Sequence, residues 1–361
     1  MKILHVITSL RMGGAEKLVS EIVPLFRDKG HEVDVLAFDG VDTPFKQSLL
    51  NKGIKVYSFG ENCFVYNPLF IFKLMRMMKQ YDVVHAHNTA PQLFAAIGSC
   101  FNSVKMITTE HSTSNHRRDS GIFKHIDRWM YNRYDSIICI SNMTYTNLIN
   151  YLGSSRARII TIENGIDVKK YIVSQPLSQV LKNSNRFIIT MVAGFRYQKD
   201  YETAIRAMAL LDKTKYEMWF VGDGERRPEI EKYICKYGVS DNIRLWGFRS
   251  DVNSILKSSD VVLQSSHIEG FGLAAVEGMA VGKPVIATNI PGLGQVVDGA
   301  GILFQHENEH ELATAITLLY SDLDFYSLIA SKCTKRALDY DISKMVQKYD
   351  HLYREVNRNT L

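Results

Sequence analysis

The sequence has no long apolar segment and few cysteines. Nowhere do about 18 or more apolar residues run together without charge, so no membrane-spanning helix is predicted. Residues 1–13 contain only a short apolar run, Ile3–Ile7 interrupted by His5, which predicts a strand and not a signal peptide. The five cysteines are scattered and form no C-x-x-C pair. We therefore expect reduced core thiols in the cytoplasm.

The composition is that of an ordinary globular protein. Apolar residues make up 46% of the chain and charged residues 22%, which excludes a disordered polar chain. A length of 361 residues exceeds what one hydrophobic core usually organises, so two domains are predicted. The formal net charge of +5 is concentrated in the first half. This bias fits a nucleic acid, a phosphorylated substrate or an anionic membrane surface, and does not choose among them.

Short β-branched runs alternate with helical stretches through most of the sequence. This alternation predicts α/β domains with doubly wound parallel sheets and right-handed crossovers. We predict a Rossmann-like domain over residues 1–168, a polar linker over 169–185, a second Rossmann-like domain over 186–340, and a final helix over 341–361 that packs back toward the first domain. Open sheets of this class bind ligands at the carboxyl ends of their strands, so we expect the site in a cleft there.

The most informative motif is Ser265–Val285, a glycine loop and helix that follow a predicted strand over Asp260–Leu263. Gly270 and Gly272 let the backbone approach a ligand closely, and the free N–H groups at the helix start favour an anion such as phosphate. Glu269 in the loop and Glu277 in the helix can both address one ligand. A carboxylate accepts hydrogen bonds from neighbouring hydroxyls of a sugar or ribose. A solvated helix residue is the alternative interpretation of Glu277.

Two further loops carry candidate phosphate contacts. Arg196 and Lys199 follow the first strand of the second domain. They suit a diphosphate, with Arg as a planar fork and Lys as a point charge. Alternatively, Arg196 and Lys199 are ordinary surface cations. The neighbouring glycine loop makes this interpretation less attractive for Lys199. Gly13 and Gly14 form a turn after the first strand, without the full G-x-G-x-x-G fingerprint, that can present backbone N–H groups to phosphate.

Together these motifs resemble the family 4 retaining glycosyltransferases of the bacterial surface-polysaccharide type. The GT-B fold of that family consists of two Rossmann-like domains facing across a cleft. The resemblance spans nearly the whole chain, and the E-x7-E spacing is its most specific part. The matching segments follow the family's order: Gly13–Glu16, His85–His87, Glu110–His111, Asn164–Asp167, Gln198–Asp200 and Glu269–Val285.

The resemblance implies a role for individual residues. The family's first glutamate contacts the donor sugar and its second the ribose, which gives Glu269 and Glu277. Its lysine holds the diphosphate and its histidine faces the sugar, which gives Lys199 and His111. We predict His111 and Glu269 as catalytic residues. The predicted donor-binding residues are Gly13, Gly14, Arg196, Lys199, Phe248, Arg249, Gly270, Phe271, Gly272, Leu273 and Glu277.

One position departs from the family pattern. The family commonly has Arg before the aromatic residue of the lysine loop, where this chain has Gly194, and Arg196 is the candidate substitute. Phe248 and Arg249 are the candidates for contacts to the nucleoside base. For His111, the alternative is a histidine that closes a strand end and bonds to the backbone.

No metal and no cofactor are predicted. His85 and His87 alternate on one strand, and the lack of acidic or cysteine partners nearby in sequence favours structural roles over metal binding. Asp-x-Asp pairs occur only as Asp322–Asp324 and Asp339–Asp341, at helix boundaries where we expect them to cap helices. The resemblance likewise implies metal-independent chemistry, in which basic side chains and a helix N-terminus meet the phosphate charge.

The predicted reaction moves a hexose or N-acetylhexosamine from a nucleoside diphosphate, expected to be UDP, to a hydroxyl of a growing glycan, with retention of configuration. One alternative is a UDP-sugar epimerase on the same fold, which the glutamate block disfavours. Another is a carbohydrate- or nucleotide-binding protein that has lost catalysis, for which Gly194 is the one hint.

The acceptor side is expected in the first domain, with a glycan or lipid-linked glycan as acceptor. Two basic, aromatic stretches there are compatible with binding at the inner face of the cytoplasmic membrane, or with core helices that have a solvated basic edge. No nucleic-acid module is recognised, so nucleic acid is not predicted as a partner. The stretches are Pro68–Lys79 and a group comprising Arg117, Arg118, Phe123, Lys124, His125, Arg128, Trp129, Tyr131 and Arg133.

Overall fold

The structure is a computed structural model that describes residues 1–111, 121–177 and 185–358. The chain forms two compact units. The first comprises Met1–Asn164 together with Ile342–Leu361, and the second comprises Gly165–Asp341. Arg117 and Arg118, which the sequence placed in a basic stretch, lie outside the described residues.

The first unit is built on a seven-stranded parallel sheet in the order β3-β2-β1-β4-β5-β6-β7. From β1 the chain adds strands in one direction, and from β4 it adds them in the other. The switch point of this doubly wound sheet therefore lies between β1 and β4. Because every pairing is parallel, all the carboxyl ends lie at one edge. The strands are β1 (Lys2–Ser9), β2 (Glu32–Asp39), β3 (Val56–Ser58), β4 (Val83–His87), β5 (Lys105–Glu110), β6 (Ser136–Cys139) and β7 (Arg158–Thr161).

Helices connect these strands. Two of them begin at a side chain that caps the first turn: the hydroxyl of Thr43 accepts from the N–H of Lys46 at 3.2 Å, and that of Ser141 accepts from the N–H of Thr144 at 3.2 Å. The helices are α1 (Gly14–Asp28), α2 (Pro44–Asn51), α3 (Leu69–Met78), α4 (Thr89–Gly98), α5 (Gly121–Tyr131) and α6 (Asn142–Leu152).

Strand β1 shows how alternation separates the two cores of this unit. Ile3 and Ile7 belong to one buried cluster, and Leu4 and Val6 belong to the cluster on the opposite face. His5 alternates with Ile3 and Ile7 and is fully buried. An imidazole therefore stands where an aliphatic side chain would be expected.

The second unit is built on a six-stranded parallel sheet in the order β10-β9-β8-β11-β12-β13. Its reversal lies between β8 and β11, so the loops after these two strands are neighbours at the carboxyl edge. The strands are β8 (Phe187–Val192), β9 (Tyr216–Val221), β10 (Ile243–Gly247), β11 (Val261–Gln264), β12 (Val285–Thr288) and β13 (Ile302–Phe304).

Helix α11 packs directly on the sheet of this unit, because a Cβ at Gly278 would lie 2.7 Å from the Cβ of Val262. Asp322 caps α14 by accepting from the N–H of Phe325 at 2.8 Å, as predicted for that Asp-x-Asp pair. The helices are α7 (Val168–Ile172), α8 (Tyr201–Leu210), α9 (Arg227–Lys236), α10 (Val252–Ser258), α11 (Leu273–Ala280), α12 (Leu293–Val297), α13 (Glu309–Ser321) and α14 (Leu323–Ala337). Helix α7 falls within the segment predicted as a linker, of which 178–184 are outside the described residues.

The last helix, α15 (Ile342–Arg358), packs on the first unit. Tyr349 and Tyr353 are fully buried there, and the ring of Tyr353 lies 5.1 Å from that of Phe26. Nε2 of His31 lies 2.7 Å from a carboxylate oxygen of Asp350. Helix α15 is thus part of the first unit's core.

The prediction of two α/β units with parallel sheets is confirmed. All five cysteines are free thiols, but only Cys139 and Cys333 are buried, so the expectation that all are core thiols is wrong for the exposed Cys100 and Cys235. Among the described residues, no single helix has the length and apolar character to cross a membrane; one helix pair, Glu309–Ser321 with Leu323–Tyr340, passes on length and composition but is bent by 107°.

Candidate functional site

An ion pair joins the two loops at the switch point of the second unit. Nζ of Lys199 lies 2.5 Å from Oε2 of Glu269, and the side chains are only 23% and 17% exposed. Lys199 ends a short 3₁₀ helix over 197–199 that follows β8, and Glu269 lies in the loop after β11. Topology therefore brings together a cation and a carboxylate that are 70 residues apart.

Glycines shape the loop that carries Glu269. Gly272 immediately precedes α11 with φ +97°, a left-handed conformation that glycine tolerates without strain. Gly292 has φ +90°, and a Cβ there would lie 2.3 Å from the carbonyl oxygen of Glu269 and 2.9 Å from that of Gly270. The backbone at Gly292 packs directly against the carbonyl groups of Glu269 and Gly270. This contact fixes the position of the Glu269 loop.

Helix α11 begins at Leu273 without a side-chain cap, and the N–H of Ala275 donates to the carbonyl of Gly272, so the N–H groups of Leu273 and Ala274 are left for an anion. Phe271 is buried, and its ring lies edge-on to Tyr340 at 5.1 Å. Its ring therefore contributes packing to the unit. Glu277 is buried on the same helix with 4% of its surface exposed, which rules out the solvated helix residue considered from the sequence.

Two arginines, Arg196 in the lysine loop and Arg226 in the loop after β9, have different surroundings. Arg196 is exposed and forms no ion pair among the described residues. Arg226, which the sequence analysis missed, donates to Glu202 at 2.6 Å, and its guanidinium lies 5.7 Å from the ring centre of Tyr197. Arg226 follows β9, and β9 pairs with β8 in parallel, so the folded sheet brings Arg226 close to the lysine loop.

Phe248 and Arg249 follow the edge strand β10. Phe248 is 63% exposed, which leaves its ring available for stacking. Arg249 donates to both carboxylate oxygens of Asp251, at 2.8 and 2.7 Å. This bidentate pair raises the pKa of Arg249 and lowers that of Asp251. The guanidinium of Arg249 is thus engaged within its own loop.

In the first unit, Gly13 and Gly14 connect β1 to α1. The carbonyl of Gly13 accepts from the N–H of Lys17 at 3.0 Å, and Gly13 is the N-cap residue of α1. A Cβ at Gly14 would meet nothing within 4 Å, whereas one at Gly13 would lie 2.2 Å from a carboxylate oxygen of Glu16. The space beside Gly14 is therefore open, and the Glu16 carboxylate covers Gly13.

His111 directly follows β5 and is the outer member of a chain of three imidazoles. Its Nε2 lies 3.0 Å from Nδ1 of His87, and Nε2 of His87 lies 3.0 Å from Nδ1 of His5. Burial lowers the pKa of His111 to about 4 and that of His5 to about 3. Burial is also the main reason that the pKa of His87 is lowered. The three rings are accordingly neutral at pH 7.

His85 lies beside this chain with separate partners. Its Nδ1 is 2.6 Å from the hydroxyl of Tyr353, and its Nε2 is 2.7 Å from that of Thr109. His5, His85 and His87 are close enough to hold a metal ion, but both nitrogens of His85 and of His87 already have hydrogen-bond partners. These contacts explain the two histidines as hydrogen-bonded structural residues.

A second histidine cluster stands beside Lys199. Nδ1 of His267 lies 2.6 Å from Nε2 of His306 and 3.7 Å from a carboxylate oxygen of Asp200. Imidazole nitrogens and a carboxylate are ligands that divalent transition metals accept. The other oxygen of Asp200 accepts from the N–H of Thr203 and caps α8.

The predicted residues thus gather at two sheet edges. Lys199, Glu269 and the glycine loop meet at the switch point of the second unit, with Phe248 and Arg249 after an edge strand. Gly13, Gly14 and His111 follow strands β1 and β5 of the first unit, which flank β4.

Family models match both parts of the chain. Residues 12–170 match the model described as Glycosyltransferase Family 4, and residues 176–336 match Glycosyl transferases group 1. The second match contains the lysine loop and the glycine loop, and the first contains His87 and His111 of the imidazole chain but not His5.

Curated proteins resemble the chain over most of its length. An uncharacterized glycosyltransferase of Methanocaldococcus jannaschii is 26% identical over 96% of this chain and 95% of its own. The UDP-Gal:alpha-D-GlcNAc-diphosphoundecaprenol alpha-1,3-galactosyltransferase of Escherichia coli is 24% identical over 78% of this chain and 77% of its own.

Solved structures agree with these matches. The crystal structure of Anabaena HepE in complex with UDP and glucose superposes with a TM-score of 0.88, at 25% identity over 98% of this chain and all of that one. A Thermosynechococcus elongatus sucrose-phosphate synthase shares the fold at 18% identity, with a TM-score of 0.84 and full coverage of both chains. With its two doubly wound sheets and both family matches, the chain belongs to the family 4 glycosyltransferases of the GT-B fold.

Proposed function

We propose that this glycosyltransferase moves a hexose or N-acetylhexosamine from a UDP-sugar to a hydroxyl of a growing, lipid-linked surface glycan, with retention of anomeric configuration and without a catalytic metal. The observation that carries the proposal is the Lys199–Glu269 pair beside the open start of α11. A cation, free backbone N–H groups and a carboxylate at one sheet edge are complementary to a diphosphate joined to a hydroxylated sugar.

The chemistry assigned to these groups is electrostatic. As the bond between sugar and diphosphate breaks, negative charge grows on the leaving oxygen, and Lys199, Arg196 and the α11 N-terminus stabilise it. Glu269 orients the sugar through its hydroxyls, and the family resemblance assigns a sugar contact to His111 as well. Glu277 takes the ribose. The basic groups supply the countercharge that a metal would otherwise provide, which supports metal independence.

The donor and acceptor assignments draw on relatives. HepE was crystallised with UDP and glucose, and the Escherichia coli relative is named for UDP-galactose and a diphosphoundecaprenol-linked sugar. We extend both to this chain as UDP-sugar donor and lipid-linked acceptor. Phe248, with its exposed ring, is assigned to stack on the base.

A lipid-linked acceptor places the enzyme at the cytoplasmic face of a membrane, and the first unit has a surface suited to this. Leu69 and Phe72 on α3 are 63% and 68% exposed, and Phe64 just before the helix is 72% exposed. Lys73 and Arg76 lie on the same helix. Exposed apolar side chains with neighbouring cations are typical of peripheral binding to anionic lipid.

The test begins with thermal-shift binding to a panel of UDP-, GDP- and ADP-sugars. It continues with release of free nucleoside diphosphate, with and without undecaprenyl-diphosphate-linked sugars as acceptors, and NMR of the product's anomeric proton. Stabilisation by a UDP-sugar, acceptor-dependent UDP release and a retained anomer are expected, and activity is expected to persist in EDTA. An epimerised donor without UDP release would identify an epimerase instead, and absence of binding to every donor would refute the assignment.

A further inference from the structure

The imidazole chain His5–His87–His111 leads from the interior of the first unit to its carboxyl edge. His5 and His87 are completely buried, and His111 is half-buried at the end of β5. Each contact joins Nδ1 of one ring to Nε2 of the next, at 3.0 Å in both cases. No other contact to Nδ1 of His111 is made by the described residues, so this atom is the outer end of the chain.

The number of protons limits how such a chain can be arranged. A neutral imidazole has one N–H donor and one nitrogen acceptor. If His87 donates from Nδ1 to His111, its Nε2 must accept from His5, and all three rings are protonated on Nδ1. If His87 donates from Nε2 to His5, it must accept from His111, and all three are protonated on Nε2. The tautomers of the three rings are therefore coupled.

The inner end of the chain distinguishes these two arrangements. Nε2 of His5 is buried and has no hydrogen-bond partner among the described residues. In the second arrangement this atom is an N–H donor without an acceptor, whereas in the first it is an acceptor without a donor. Buried N–H groups without an acceptor are the rarer defect in proteins. The structure therefore favours the first arrangement.

We propose that His5 and His87 are positioning residues that hold His111 as the tautomer protonated on Nδ1. His111 then offers a neutral N–H donor at the carboxyl edge of the sheet, where it can bond to an oxygen of the bound sugar. The inference rests on the proposed function for the identity of that oxygen, but the tautomer itself is a property of the protein alone. Burial keeps the chain neutral, since desolvation lowers the pKa of each ring.

The tautomer can be read directly from protein labelled with ¹⁵N in its imidazole rings. Long-range ¹H–¹⁵N correlation spectra distinguish protonated from unprotonated ring nitrogens, and His111 is assigned by the signal lost in His111→Gln. We expect Nδ1 of His111 to be protonated at pH 7.5, and its two nitrogens to shift toward a tautomer mixture in His87→Phe and in His5→Phe. A wild-type His111 protonated on Nε2, or signals unchanged in both variants, would overturn the proposal.

Two further variants separate positioning from loss of packing. In His5→Asn, the side-chain amide can replace the Nδ1–H donor, so the His111 signals should return toward wild type. His85→Phe removes a buried histidine that stacks 4.2 Å from His87 but lies outside the chain, so the His111 signals should stay unchanged. If His5→Phe does not fold, the comparison of His5→Asn with His5→Ala at the same position decides.

Transfer activity provides the second measurement, with the sugar nucleotide that the wild type uses. Loss of one oriented hydrogen bond should lower kcat/KM about tenfold or more in His87→Phe and His5→Phe, with recovery in His5→Asn. Equal losses in His5→Phe and His5→Asn, with the same melting temperature, would contradict a positioning role. A wild type without transferase activity would refute the proposed function while leaving the tautomer measurement intact.

Discussion

The ammonium group of Lys199 and the carboxylate of Glu269 neutralise each other across 2.5 Å at the edge of the second sheet. In the proposed function, a diphosphate at this edge competes with Glu269 for the lysine, and sugar hydroxyls bind the released carboxylate. The proposal therefore gives the ion pair the role of holding both groups at the site before the donor binds.

Replacing Lys199 should disable the enzyme without unfolding it. Lys199→Ala removes the point charge assigned to the leaving diphosphate, so turnover should fall by about two orders of magnitude or more. Lys215→Ala is the matched control, because Lys215 also pairs with a carboxylate but is 51% exposed. Initial rates and melting curves measure both effects. Near-normal turnover in Lys199→Ala would refute the phosphate assignment.

Two glycines with nearly the same positive φ allow the effect of a steric collision to be measured separately. Gly292 and Gly282 have φ values of +90° and +83°. A Cβ at Gly282 would meet only Thr334, at 3.8 Å, whereas one at Gly292 would collide with the Glu269 loop. We expect Gly282→Ala to cost roughly 1–3 kcal/mol in stability with donor affinity kept. Gly292→Ala should in addition weaken donor binding at least tenfold, as measured by calorimetry; equal affinities would contradict this.

The two arginines near the lysine loop should respond differently to substitution. Arg196→Ala should lower the affinity for UDP and make that affinity less dependent on salt. The melting temperature should stay unchanged, because Arg196 is exposed. Arg226→Ala should also lower the melting temperature, since it leaves the largely buried carboxylate of Glu202 without its ion pair. Titration with UDP at two salt concentrations measures the first effect. Unaltered UDP affinity in Arg196→Ala would remove Arg196 from the donor site.

The apolar surface of α3 should contribute to membrane binding. Leu69→Ser combined with Phe72→Ser should reduce co-sedimentation with vesicles of anionic phosphatidylglycerol, because both exposed side chains are lost. Leu323→Ser is the control, since Leu323 is 76% exposed on α14 in the second unit. Equal sedimentation of wild type and double variant would argue against this surface. Binding to zwitterionic vesicles measures the part that does not depend on charge.

The buried imidazoles should make the first unit sensitive to acid. Burial lowers the pKa of His5 to about 3 and that of His111 to about 4, from the ordinary histidine value of about 6.5. Between pH 6.5 and these lowered pKa values, His5 and His111 bind protons in the unfolded chain but not in the folded chain. The contribution of these rings to the free energy of unfolding is therefore fully present above pH 6.5. It falls as the pH falls, by at most ~1.4 kcal/mol per pH unit for each ring.

Denaturant unfolding at pH 7.5 and 5.5, followed by amide exchange of β1 and β4, measures this dependence. His87→Phe removes one of the titrating rings, so its stability should change less with pH than that of the wild type. An identical pH dependence in both proteins would contradict the assignment of these rings as neutral in the folded state.

The sequence predicts the strands of the sheets well, but it does not predict which side chains form ion pairs or hydrogen bonds with one another. Strands such as β1 and β8 have β-branched residues in runs that mark them individually. Strand β3 was missed because its three residues at the sheet edge are half-buried or exposed and carry no pattern. The E-x7-E spacing located Glu269, but its pairing with Lys199 depends on the order of strands across the sheet.

The histidine chain marks a second limit of sequence reasoning. His5, His87 and His111 lie on three different strands or strand ends, and nothing in the local sequence links them. Their contacts arise because β4 lies between β1 and β5. Arg226 was overlooked for the same reason, since β9 and β8 become neighbours only in the folded sheet.

Because α15 supplies Tyr349 and Tyr353 to the first unit, synthesis of that unit is interrupted by the second. The ribosome therefore makes all strands of the second unit before it makes α15, which covers one side of the first unit's core. The apolar face of α1 therefore stays uncovered during synthesis until α15 has been made. Removal of α15 would leave the second unit intact and would uncover the histidines of the first unit that contact Tyr349 and Tyr353.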